Sequence, residues 1–324
     1  MPQWLFEQMS MENPSWNPIL ARLQTINWPR ALAFEIVEEH GSNIQEQFNS
    51  CLSVFNPLNP RRSSVQNKAI FGPLFHSLTF AVSLASFVNR SSCGPWIMAT
   101  AIISWYYSVY NSIRAILAAY DGREPTTHAA VTKSLNVVRQ SLPHPINMLS
   151  RRRSGETYDS TLPNAPSATA YLIINAFRNS RSDAQGMLIS YLNGTAKWEA
   201  DKTKRRLIRD GTVTDFRSQS NRNIRDTLLE DEINFMNCAF RYRTKANYRD
   251  SMYLAYGSIN ETHEQEFVRA LKVVACFMFS CSVAYAMRRI GDELTTTFLN
   301  DVRNNFRGKT GANSDEMFFE QISI

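Results

Sequence analysis

Residues 104–122, SWYYSVYNSIRAILAAYDG, restrict the possible folds more than any other stretch of the chain. Tyr106, Tyr110, Ile113 and Leu117 recur at i, i+4, i+7 and i+11, which is one face of an α-helix. Tyr107, Asn111 and Arg114 fall on the neighbouring face, so the predicted helix buries one side and carries a polar line on the other. Asp121 and Gly122 then stop it. The same period returns near the end of the chain in Phe267, Leu271, Val274, Met278, Cys281 and Tyr285, behind Thr262 and Gln265 at capping-box spacing. No alternating strand pattern of useful length, internal repeat or heptad run appears. The expected fold class is mostly α, an up-and-down bundle.

Apolar runs at 69–88, 96–113 and 273–287 raise the question of a membrane. The first holds His76 and several hydroxyl residues, the second is packed with tyrosine and serine, and Lys272 and Arg288 bracket the third. A span needs about 20 predominantly apolar residues, so all three read as core helices and no membrane partner is expected. MPQWLFEQMS lacks the basic start and apolar block of a secretory signal. Five cysteines without CxxC pairing read as reduced thiols, and the expected location is cytoplasmic.

Composition shifts divide the chain. Residues 1–65 read as an N-terminal helical extension with a break at Gly41, and 66–144 with 228–300 as the bundle. Residues 145–227 form a basic, partly irregular insertion with one helical piece near 167–194, and 301–324 a C-terminal tail. The insertion carries 14 Lys and Arg against 8 Asp and Glu, an excess of six that equals the +6 of the whole chain. Its RRRS (Arg151, Arg152, Arg153) and KTKRR (Lys204, Arg205, Arg206 at its end) read as loop-like charge runs. They are either solvated or phosphate clamps that gain affinity by releasing counterions.

WYYSVYNSIRAILAAYDG with the following TTHAAV, and later RYRTKANYRDSMYLAYG, resemble segments of the HEPN superfamily across about residues 68–142 and 228–292. The resemblance implies a helical bundle that dimerises, with RNA or a protein partner chain as its target, in a prokaryotic defence or toxin–antitoxin setting. Some members are metal-independent endoribonucleases using an arginine and a histidine four to six residues apart. Others lack the pair and serve as binding modules. Arg139 and His144 in RQSLPH have this spacing, although Pro143 interrupts the helix that would carry them and Gln140 departs from the usual Asn or Asp. Histidine would move the 2′-hydroxyl proton while arginine stabilises the phosphate.

Other residues carry weaker signals. Arg241, Arg243 and Arg249 with Tyr248 mix cations and rings, as a single-strand RNA surface does and as a solvated helix face with snorkelling arginines also does. His128 matches the Thr-His helix start and either buttresses it or lines a ligand site. Arg114, buried, needs a partner such as Asn111, Asp250 or a tyrosine hydroxyl. P-loop, GxGxxG, GxSxG and HExxH patterns are absent, so neither a cofactor nor a metal is expected from motifs. Two readings stand: an RNA-binding protein with cleavage as an added activity, and a non-catalytic helical scaffold within a larger complex.

Overall fold

The computed structural model describes Met11 and residues 18–61, 67–88, 96–160, 181–248 and 261–306. The chain is mostly α-helical. Helix α1 (Pro18–His40) and α2 (Ile44–Val54) meet at Gly41, whose φ of +94° suits glycine's freedom in the left-handed region. Asn43 caps α2, and Glu46 completes the reciprocal capping box. Helices α3 (Asn67–Val88) and α4 (Trp96–Asp121) pack along one another, and α9 (Glu261–Ile290) lies against both as well as against α1 and α2. The apolar stripe read in residues 106–117 is buried, as is the later one at 267–285. Thr262 lies among residues whose side chains are not described.

Two helices, α3 and the 264–290 part of α9, are long and apolar enough to cross a bilayer; 83% of the latter's apolar window is buried inside the fold, against 44% for α3. At the C-terminal end of α4, Gly122 takes φ +81° and two arginines from distant segments satisfy the last carbonyls. Arg61 Nη1 donates to Ala118 O at 2.9 Å, and Arg289 Nη2 to Tyr120 O at 2.9 Å. Cations at this end also complement the helix dipole. Between α3 and α4, Ser77 Oγ lies 2.7 Å from Ser112 Oγ, and Ser108 donates to the Ser77 carbonyl, so the buried hydroxyls satisfy one another.

The extension and the basic segment share this core. Trp28 of α1 stacks on Tyr191 at a centroid distance of 4.4 Å and meets Trp105, Tyr242 and Phe235. Those rings come from α4, from α6 (Arg181–Arg209) and from α8 (Phe235–Tyr248). Helices α5 (His128–Val138), α7 (Gln219–Leu228) and α10 (Asp292–Phe306) complete the helical set among the described residues. Thr127 caps α5 by accepting from the Ala130 amide, where TTH predicts the helix start. Cys51, Cys238, Cys276 and Cys281 are buried free thiols, and Cys93 lies outside the described residues.

Two expectations are corrected. RRRS is not a loop: it lies in β1 (Leu149–Ser154), the central strand of an antiparallel sheet with order β2-β1-β3, where β2 is Thr157–Ser160 and β3 is Glu232–Asn234. Register places Arg151 between Asp159 and Glu232, so acidic side chains from both neighbours compensate the arginines. Gly155, at φ +48°, makes the tight turn between β1 and β2. KTKRR is also ordered, as the exposed second half of α6, which buries Leu188, Leu192, Ala196 and Ala200 on its other face. The described helix runs Arg181–Arg209, and the 167–180 part of the expected helical piece lies outside the described residues.

Candidate functional site

Helices α4, α5 and α8 bring together the segments that carry the resemblance. Asn111 Nδ2 donates to the Tyr107 carbonyl at 2.8 Å, and its Oδ1 accepts from Arg114 Nη1 at 3.3 Å. The Arg114 guanidinium also lies over the Tyr110 ring at 5.8 Å, so Asn111 and this ring provide its polar tie; Asp250 lies outside the described residues. From α8, the Arg243 guanidinium sits 5.5 Å from the centroids of both Tyr106 and Tyr107 and donates to Tyr107 Oη at 3.3 Å. Each cation therefore has an aromatic face as well as a hydrogen bond.

His128 closes this group. Its Nδ1 is 2.7 Å from Tyr106 Oη, and its ring lies 4.8 Å from the Tyr110 ring and 5.4 Å from the Phe240 ring. Burial holds the Tyr106 phenol protonated far above the ordinary tyrosine range. Burial, with the Arg243 charge added, holds the His128 pKa below its usual value. A phenol proton donated to Nδ1 satisfies both groups and selects the tautomer with hydrogen on Nε2.

His128 faces a cavity of about 230 Å³ between α5, α6 and α8. Phe240 and Asn237 line it from α8, Thr132, Lys133 and Asn136 from α5, and Glu199 and Lys202 from α6. Glu230 and Glu232 border it beside β3. Its floor is an amide lattice. Asn234 caps α8 by accepting from the Met236 and Asn237 amides, and Asn237 Oδ1 accepts from the Asn234 amide at 2.9 Å. Asn234 Nδ2 in turn donates to Thr132 O at 2.9 Å and Asn136 Oδ1 at 2.7 Å, which leaves the Asn136 amino group for the cavity. Burial raises the Glu199 carboxyl pKa above the usual range, against the pull of Lys202 at 3.4 Å. Glu199 and His128 line one cavity, where burial raises the first and lowers the second from its ordinary pKa.

The His128 shift has a pH consequence. A histidine whose folded pKa is depressed opposes folding once the unfolded chain takes up the proton, so stability is lost as pH falls below about 6.5. Urea midpoints measured between pH 7.5 and 5.5 are expected to fall more steeply for the parent than for His128→Gln. Parallel curves would show that His128 contributes nothing to the slope.

The other sequence-derived candidates are placed as follows. Arg139 Nη1 donates to the Asn147 carbonyl at 3.0 Å, whereas His144 Nε2 lies 3.2 Å from Glu35 Oε2 on α1; no hydrogen bond joins Arg139 to His144. Arg151 pairs with Glu232 at 2.9 Å, Arg152 with Asp231, and Arg153 with Asp159 at 3.3 Å. Lys204 is held by Glu156 and Asp201 at 2.8 and 2.9 Å, while Arg241 donates to Thr195 Oγ1 and lies over Tyr191. Arg205 and Arg206 are exposed, with no ion pair among the described residues. The Tyr248 side chain and Arg249 lie outside those described. Sequence reasoning missed Lys133, Asn136, Glu199 and Asn237 because they come from three separated segments; the only local signal was Asn234 with Asn237 at capping spacing. Compared with family models, with curated proteins and with solved structures, the chain finds no match in any of the three.

Proposed function

We propose that the chain binds single-stranded RNA, with one nucleotide entering the His128 cavity and the flanking phosphates following α6. One observation carries the reading. Lys202 borders the cavity, and Arg205 and Arg206 stand three and four residues further along the same helix, exposed, so a cationic stripe starts at the cavity mouth. The cavity chemistry suits an unstacked base: Phe240 offers an aromatic face, and Asn136 and the carboxylates offer donors and acceptors to base edges. The defence or toxin–antitoxin setting rests on the HEPN resemblance alone, as does dimerisation.

The scaffold reading keeps one observation in its favour, the compensation of Arg151, Arg152, Arg153 and Lys204 by neighbouring carboxylates. Fluorescence anisotropy with a short single-stranded RNA across a salt series separates the two. Removing Lys202, Arg205 and Arg206 together by alanine substitution should weaken binding and lower the salt slope by about 2, given roughly 0.7 per phosphate contact. Parent protein that does not bind at low salt supports the scaffold, and an unchanged slope in the triple variant removes α6 from the RNA path.

A further inference from the structure

We infer that Glu35, Glu39 and His144 form a binding site for a divalent first-row cation of the zinc type, remote in composition from the His128 cavity and independent of the RNA reading. The donor atoms of the three residues all lie within 4.8 Å of one another. His144 Nε2 and Glu35 Oε2 are 3.2 Å apart, the separation of two donors that share one zinc ion at about 2.0–2.2 Å each with near-tetrahedral angles. Two carboxylates and an imidazole suit zinc or a similar ion better than magnesium, which prefers an all-oxygen octahedron.

A second observation, separate from the grouping, points to a ligand. The Glu35 side chain is completely buried, and its Oε1 has no hydrogen-bond partner among the described residues, whereas Oε2 faces His144 Nε2, Arg181 Nε at 3.6 Å and Gln185 Nε2 at 3.5 Å. A buried carboxylate oxygen left without a donor is costly, and a coordinated cation removes that cost. Glu35 and Glu39 are also like charges at i and i+4 on α1. Among the described residues, the arginine or lysine against both is Arg181, which pairs with Glu39 as well and is 51% exposed in the first turn of α6. Its arm can leave for solvent when a divalent ion takes its place.

The imidazole is already aimed. His40 Nε2 donates to the His144 carbonyl at 2.6 Å, and because a carbonyl only accepts, Nδ1 is the acceptor from Ser50 at 2.8 Å. Phe277 stacks on the His40 ring at 4.7 Å. These contacts from α1, α2 and α9 fix the backbone that carries His144, as supporting residues fix the ligands of metal sites.

Isothermal titration of the full chain with Zn²⁺, paired with the visible d–d absorption of Co²⁺, tests the site. The parent should bind one equivalent and lose at least about tenfold in affinity in Glu39→Ala and in His144→Ala. Arg181→Ala should bind as tightly as the parent or more tightly. Glu39 is partly exposed, so its variant keeps the test valid if a change at buried Glu35 prevents folding. Absence of one-equivalent binding by the parent, unchanged affinity in both ligand variants, or equal preference for Mg²⁺ would each overturn the assignment.

Discussion

Trp28→Ala should lower the unfolding free energy by about 3–5 kcal/mol, the range for truncating a fully buried large aromatic side chain. The effect should sit at the upper part of that range because Trp28 touches four rings from three other helices, and α1, α4, α6 and α8 cannot all close over the gap. Urea unfolding followed by far-UV circular dichroism measures it, with a lowered midpoint and an unchanged slope expected. The same experiment decides whether the N-terminal extension is integral. If α1 were an appendage, the variant would lose little and the main transition would stay in place. Trp28→Phe, which keeps an aromatic face for Tyr191, should recover part of the loss.

Asn234→Ala should be the next most damaging change at a single side chain, at about 2–4 kcal/mol from a lost helix cap together with buried groups left unpaired. Asn234 is nearly inaccessible, and its carboxamide is fully used: two amides of α8 on its oxygen, Thr132 O and Asn136 Oδ1 on its nitrogen. Asn234→Asp keeps the acceptor for the cap while losing the donor that ties α8 to α5. It should therefore retain helix content but loosen the cavity floor. Thermal unfolding by circular dichroism gives the stability of both variants, and amide exchange at Asn136 and Asn237 reports the floor. Equal stability of the alanine variant and the parent would mean that water replaces all four contacts.

These two residues also mark where sequence reading reaches its limit. The helix that holds Tyr106, Tyr110, Ile113 and Leu117 is legible because its apolar period is uninterrupted, and Gly41, Gly122 and Thr127 announce their turns and cap locally. The strand at Arg151 is not legible. Both of its faces carry charge, and the carboxylates that stabilise it, Asp231 and Glu232, arrive about eighty residues later. The second half of α6 looks irregular for a similar reason: its exposed face is so rich in Lys and Arg that the buried positions at Ala196 and Ala200 are hidden among polar neighbours.

Local periodicity and turn chemistry, both written in neighbouring residues, determined that this chain is mostly helical, where helices such as α4 and α5 stop and start, and that the stripes at 106–117 and 267–285 are buried. Only the tertiary structure decided which distant side chains meet: His128 with Tyr106 and Glu199's cavity, and His144 with Glu35 across 109 positions. The physical reason is that hydrogen bonds within helices and apolar stripes depend on spacing along the chain. A cavity or an ion site depends instead on how several helices pack, and that packing leaves no period to read.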